Sequence, residues 1–269
     1  MLARVFAFLV GFAALAGTAG PASALKIERV ISPGGIEAWL IQDRSAPIIA
    51  LQAGFAGGAA QDPKGKEGTA NLLASMLDEG AGPYDAQGFQ GRLESLSIEF
   101  SAEADRDRFY VGLRTLAARK DEAVDMLALA LNEPRFDQAS LERVRGSILS
   151  QIQRDAENPQ SIAWRTLWQS LFAEHVYGRQ SRGTLESVKI LSREDLVQFH
   201  RARLAREGLV IGVVGDITPE QLRPLLDRAF GRLPAKGASD AVAEARPAAP
   251  GTTTVVRRPI PQSVVAFGH

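Results

Sequence analysis

The chain has 269 residues, 45% of them hydrophobic and 23% charged, with Lys+Arg and Asp+Glu both at 31 and no cysteine. A balanced charge excludes the basic excess of a nucleic-acid-binding surface and the acidic tail of a solvating one. The absence of cysteine excludes thiol nucleophiles, thiolate metal sites, disulfides and a lipid-modified N-terminal cysteine.

Residues 1–24, "MLARVFAFLVGFAALAGTAGPASA", carry one charge, Arg4, then a mostly apolar run from Val5 to Ala16, then small residues ending in "ASA". This is the layout of a secretory signal peptide cleaved after Ala24. The apolar run is short of the roughly 20 residues of a stable span, and no other stretch is expected to cross a membrane. The mature protein is therefore expected in the periplasm or outside the cell.

Residues 36–42 and 47–55 read as strands joined by the turn "DRSA", the second continuous enough in apolar residues to be an inner strand. "GFAGGAAQDPKGKEG" follows as a glycine-rich loop without the spacing of a phosphate-binding loop. "KEGTANLLASMLDEGAGPYD", residues 66–85, reads as one short helix. Leu72, Leu73, Met76 and Leu77 form its apolar stripe, and Gly80 suits the position just past its end. Asn71, Ala74 and Ser75 lie one turn apart on another face, at a spacing that suits metal ligands and a general base, yet none of the three ionises.

Residues 96–116 read as two strands around a charged turn. "KDEAVDMLALALNEP" reads as a helix stopped by Pro134. A longer helix is expected over "DQASLERVRGSILSQIQRDAENP", with Leu141, Val144, Ile148, Leu149 and Ile152 at helical spacing. Another follows in "SIAWRTLWQSLFAEHVYG". "LSREDLVQFHRARLA" opens on a capping-box signal, Ser192 with Asp195 three residues on. "GLVIGVVGD" reads as a buried strand, and "TPEQLRPLLDRAFGRLP" as a helix with Thr218 as cap and Pro219 in its first position. Residues 235–251 have linker composition, and "TTTVVRR" and "SVVAFG" beyond them open a new strand pair. Strands, helix, strands, several helices, strand and helix make an α+β order rather than a regular βαβ alternation.

The segments "GTANLLASMLDEGA" (68–81), "LERVRGSILSQIQRDAENP" (141–159), "EHVYGRQSRGTLESVKILSREDLVQFH" (174–200) and "GLVIGVVGDITPEQL" (208–222) together make the chain resemble the M16 peptidases, the insulinase or pitrilysin family that includes processing-peptidase-like proteins. The resemblance covers about residues 27–269. It implies an M16-like (LuxS/metallohydrolase-type) α+β domain over 25–234, with a mainly antiparallel sheet packed against helices. It also implies a linker over 235–251, and over 252–269 the first strands of a truncated second domain of the same kind.

Active members carry an inverted His-x-x-Glu-His zinc motif on the first helix and a distal Glu on a later one. By position the resemblance places the two His on Asn71 and Ser75, the catalytic Glu on Ala74 and the distal Glu on Gln151. Amide and hydroxyl groups are poor zinc ligands, and a methyl group takes no proton from water. The resemblance therefore implies a non-catalytic member with no catalytic residue, no metal and no cofactor. Such members assist a zinc-bearing M16 homologue as its partner in binding or degrading peptides. The alternatives are a zinc-dependent M16 metalloendopeptidase with unplaced ligands, and a stand-alone peptide-binding or scaffold protein.

Other residues read as structural. His175, His200 and His269 are isolated and make no metal shell. Asp78 and Glu79 lie beyond the motif, Glu79 a full turn past the base position. Arg143, Arg145 and Arg154 read as a solvated helix face rather than one facing a substrate chamber. Trp164, Trp168, Phe172 and Tyr177 read as core packing rather than as a peptide-binding surface.

Overall fold

The computed structural model describes residues 26–238, 242–248, 251 and 253–268. The expected signal peptide lies outside the described residues. Eight strands and eight helices are named here in chain order. The first three strands are β1 (Ile27–Ile31), β2 (Glu37–Gln42) and β3 (Ile48–Ala56); helix α1 (Thr69–Ala74) follows, then a two-residue hairpin of β4 (Gly80–Ala81) and β5 (Tyr84–Asp85). Helix α2 (Ala86–Ser95) leads to β6 (Glu99–Ala104) and β7 (Arg108–Leu116). Then come α3 (Lys120–Asn132), α4 (Gln138–Glu157), α5 (Pro159–Leu171), α6 (Leu185–Ile190), α7 (Arg193–Arg203), β8 (Val210–Gly215) and α8 (Pro219–Phe230).

Six strands form one sheet in the order β1-β2-β8-β3-β7-β6. Every neighbouring pair is antiparallel except β2 and β8, which run parallel. The "DRSA" segment therefore does not close a hairpin: β8 lies between the two strands it joins. Gln42 and Ile49 share one row with Gly215 between them. The connection spans two strand spacings, about 10 Å, and it is fastened there by Asp43 N–H donating to Gly215 O and Asp216 N–H to Ile48 O, both at 3.0 Å. Gly215 has φ +141°, and a Cβ there would stand 2.1 Å from Ile48 O, so this crossing needs a glycine.

One side of the sheet is buried. Leu40, Val213, Leu51 and Leu113 are register neighbours across four strands, and all four are buried. The other side is not: Trp39, Val210 and Val214 are exposed. Strand β8 was expected to be buried throughout. It is half-buried, because its alternate residues point to the side that no helix covers.

The core beneath the helices centres on Phe55, Phe89, Phe109, Phe136 and Phe230, all fully buried. Residues Leu72, Leu73, Met76 and Leu77 join it, which accounts for the apolar stripe of the opening helix. Its regular turns stop at Ala74, six residues short of Gly80. Met76, Leu77 and Glu79 then donate to residues three positions back, so the end tightens into 3₁₀-like turns. Gly80, with φ +111°, closes them and opens β4.

Two helices carry the expected caps, Ser192 with Asp195 on α7 and Thr218 with Gln221 on α8, both as capping boxes, and Asn158 caps α5. Residues 253–268 hold no helix or strand among those described, and Val255, Val265 and Phe267 are exposed there. The strand pair expected in this stretch is not formed; two short strands without neighbours are marginal in water.

Candidate functional site

The glycine-rich segment before α1 is fixed at many points. Gly57, Ala59 and Ala60 donate to the carbonyls of Asp107, Asp105 and Arg106 in the β6–β7 turn, at 2.8–2.9 Å. Asp62, 4% exposed, accepts from Gly68 N–H at 2.7 Å and from Ala70 N–H at 2.8 Å. It thereby satisfies backbone donors at the start of α1 that have no partner within the helix. Burial pushes the Asp62 carboxyl up to about 7, while those two N–H groups pull it down. Lys66 forms an ion pair with Asp195, and Ser187 Oγ donates to Glu67 O at 2.7 Å. Gly68 (φ +97°) and Gly183 (φ +81°) let the two segments touch: a Cβ at Gly183 would meet Glu67 O at 2.2 Å.

Held this way, α1 forms one wall of a cleft of about 400 Å³. Ala74, Ser75, Asp78 and Glu79 line that wall, Arg143, Val144, Ser147 and Ile148 of α4 the opposite one, and Ser101 and Ala102 of β6 the floor. Strand β6 ends the sheet and pairs only with β7 among the described residues, so one of its backbone edges runs free beside the cleft.

Two of the four positions singled out from the sequence meet in this cleft and two do not. The Ala74 methyl is buried at its wall. Ser75 Oγ donates to Asn71 O at 3.0 Å, turned to its own helix. Asn71 lies one turn before Ser75 on α1 and is not among the lining residues. Gln151 lies one turn past Ser147 on α4; it is exposed, and its Oε1 accepts from Arg154 Nη2 at 3.2 Å.

The charged groups of the cleft, Asp78, Glu79 and Arg143, were read from sequence as structural, and the structure brings them together. Glu79 pairs with Arg143 across it. Asp78 accepts from Gln90 Nε2 at 2.9 Å, and burial raises its carboxyl above the usual range. Both residues line the cleft from the tightened turns after Ala74. Of the three arginines read as one solvated face, Arg143 lines the cleft, Arg154 is exposed, and Arg145 is largely buried, donating to Leu191 O at 2.5 Å.

No group of three or more His, Cys, Asp or Glu side chains that could hold a metal ion is present among the described residues. Amide, hydroxyl and methyl groups at the α1 and α4 positions are not a donor set that fits zinc. The histidines have other engagements. His200 donates from Nε2 to Leu131 O at 2.8 Å, packs edge-on against Phe136, and is pushed below the usual imidazole range by burial. His175 belongs to a cluster with Trp168, Phe172 and Tyr177. His269 lies outside the described residues.

The aromatic residues of α5 are not core, contrary to the expectation from sequence. Only Ile162 of that helix is buried, and Trp164 is 47% exposed. Trp168, Phe172 and Tyr177 form a separate cluster with the Arg106 guanidinium 3.8 Å over the Trp168 ring. Nothing in a helical aromatic spacing distinguishes such a surface cluster from core.

A mainly antiparallel sheet with helices on one side, a first helix pinned at the free sheet edge, and a cleft facing a long helix together define an α+β scaffold with its candidate site at one sheet edge. The profile of Insulinase (Peptidase family M16) matches residues 39–185, and that of the Peptidase M16 inactive domain matches residues 191–268. The chain belongs to the M16 peptidase family.

A Helicobacter pylori protein named Non-peptidase homolog YmxG is 29% identical over 188 residues, covering 70% of this chain and 44% of its own length. The human mitochondrial-processing peptidase subunit beta is 24% identical over 174 residues, covering 65% and 36%. The crystal structure of a peptidase M16 inactive domain from Pseudomonas fluorescens superposes with a TM-score of 0.77 at 26% identity, covering 82% of this chain and 54% of the other. The chain spans less than half the length of these two curated relatives.

Proposed function

We propose that this chain is a non-catalytic M16 subunit that holds peptides beside β6 and assists a zinc-bearing M16 homologue in degrading them. The observation that carries the reading is the combination at α1: a heavily pinned helix beside a 400 Å³ cleft, with Ala74 and Ser75 where the chemistry would lie. Peptide hydrolysis by a metal needs ligands to hold the ion and a base to take a proton from water. Asn71, Ser75, Gln151 and Ala74 supply neither, so the protein alone binds no stoichiometric zinc at this helix and cleaves nothing there.

Peptide holding needs less. The free edge of β6 offers unpaired backbone groups to an extended segment, and the cleft offers the Ser101 and Ser147 hydroxyls with the Arg143–Glu79 pair. Similarity to a relative named as a non-peptidase homologue supports the absence of catalysis. Similarity to one named as a subunit of a processing peptidase supports the pairing.

Two further parts belong to this reading. Residues 1–24 direct export to the periplasm or beyond and are removed. Residues 252–269 begin a second M16-like unit after the 235–251 linker. Among the described residues no helix is long and apolar enough to cross a membrane.

The test uses the complete chain and a zinc-bearing homologue from the same source. A quenched peptide is assayed with each protein alone and with the mixture, and the mass of the mixture is measured in solution. A complex more active than the homologue alone supports the proposal. Chelator-sensitive hydrolysis by this chain alone would show a working metallopeptidase instead. Absence of a complex with peptide binding retained would leave a stand-alone binding protein.

A further inference from the structure

The stretch with linker composition is not a free tether where it is described. Beyond α8, Arg206 N–H donates to Pro234 O and Ala238 N–H donates to Ala202 O, both at 2.8 Å. Ala202 lies in the last turn of α7, where carbonyls have no partner within the helix. Gly237 lies so close to that turn that a Cβ would stand 2.7 Å from Ala202 O. Further on, Ala248 N–H donates to Leu171 O, the last carbonyl of α5, at 2.7 Å. Two parts of one segment thus cap the C-terminal ends of two different helices.

A side chain holds the segment between them. His175 Nδ1 accepts from Tyr177 N–H at 3.2 Å, which leaves the proton on Nε2, and Nε2 donates to Ala243 O at 3.0 Å. The ring is itself fixed, edge-on to Tyr177 with centroids 4.7 Å apart. Tyr177 is fixed in turn: its hydroxyl donates to Asp107 Oδ1 at 2.5 Å, and its carbonyl accepts from Arg106 Nε at 3.3 Å. Arg106 and Asp107 form the turn that ends the free edge strand β6.

We infer that Gly237–Ala238 and residues 242–248 form a strap, clasped by His175, that fixes where the chain departs from this unit. The surface aromatic cluster is then explained as the seat of the clasp. Through Arg106 and Asp107 the same cluster anchors the end of β6, so the edge strand and the departing chain share one fixed point. The chain up to residue 248 is thereby held at a set position relative to the cleft. The inference is independent of whether the cleft binds peptide.

The absence of cysteine makes a direct test simple. In the full chain, Gln160→Cys and Ser263→Cys place two spin labels, one at the exposed start of α5 and one beyond the strap, and double electron–electron resonance reads their distance distribution. A single narrow distribution is expected, broadened at least twofold by Ala248→Pro, which removes the N–H donor, combined with His175→Ala. Gly237→Ala alone, in the coil packed on the end of α7 and away from α5, is expected to broaden it as well. A distribution already broad in the parent, or one that stays narrow in these variants, overturns the inference. Hydrogen exchange on the unsubstituted protein needs no variant to fold: the Ala238 and Ala248 amides are expected to exchange at least tenfold more slowly than in unstructured chain, and exchange at the unstructured rate overturns the strap.

Discussion

Replacing Asp62 with alanine tests how the first helix is held. The side chain accepts from the Gly68 and Ala70 amides at 2.7 and 2.8 Å in a site that leaves it 4% exposed. Alanine leaves both donors buried without a partner, each at a cost of about 1–3 kcal/mol. The upper limit is therefore about 6 kcal/mol. Against this stands the removal of a desolvated carboxyl, so the net loss at neutral pH lies near the lower end, about 2 kcal/mol.

The pH dependence carries the sign. The native carboxyl is raised to about 7 by burial, with Glu67 adding to the rise and the Arg179 guanidinium opposing it. In the unfolded chain the group titrates near its ordinary value, about 4. The native state thus holds a proton that the unfolded state releases. The resulting stabilisation is complete below about pH 4 and is lost as pH rises through about 7. Asp62→Ala should consequently cost more near pH 5 than near pH 8. Urea unfolding of both proteins at the two pH values, followed by tryptophan fluorescence, gives the two differences. A loss under about 0.5 kcal/mol at both, or a loss that grows with pH, would refute the reasoning.

Arg106→Ala should lower stability by about 1–2 kcal/mol, since a half-buried cation over Trp168 is lost together with its bond to Tyr177 O; Arg106→Lys should restore part of this in the same denaturation assay. His200 is held below the usual imidazole range by burial, with Arg201 adding to the effect. Its contribution is full above about pH 6.5 and is lost as pH falls through the native value, so His200→Gln should flatten the acid side of the stability profile. Gly183→Ala should cost about 1–3 kcal/mol in thermal unfolding, because φ is +81° and the new Cβ would lie 2.2 Å from Glu67 O.

Local signals made much of the fold legible. The long helix α4 was visible from Leu141, Val144, Ile148 and Ile152 at helical spacing, and α7 and α8 from caps whose capping bonds lie within their own first turn. The place of β8 between β2 and β3 was not legible, because a parallel pairing between residues 39–42 and 212–215 leaves no mark on either segment. Nor were β1, the β4–β5 hairpin or α2 legible. In α2, Gly88 and Gly91 interrupt the pattern and only Phe89 and Leu93 are buried.

At the site, the identities at 71, 74, 75 and 151 could be read directly. The Glu79–Arg143 pair could not, since it joins residues 64 positions apart. The α5 aromatics were misplaced because Arg106, over Trp168, and Ala243, bonded to His175 of the same cluster, come from distant segments.

The central claim is that α1 keeps its scaffold while lacking metal chemistry. Its most direct measurement is one experiment on the complete chain: elemental analysis after dialysis against trace zinc, followed on the same sample by binding and hydrolysis of a labelled peptide. The account predicts peptide binding without a stoichiometric zinc and without cleavage. One tightly held zinc per chain, lost on substitution of Asn71 or Gln151 and accompanied by chelator-sensitive cleavage, would contradict it.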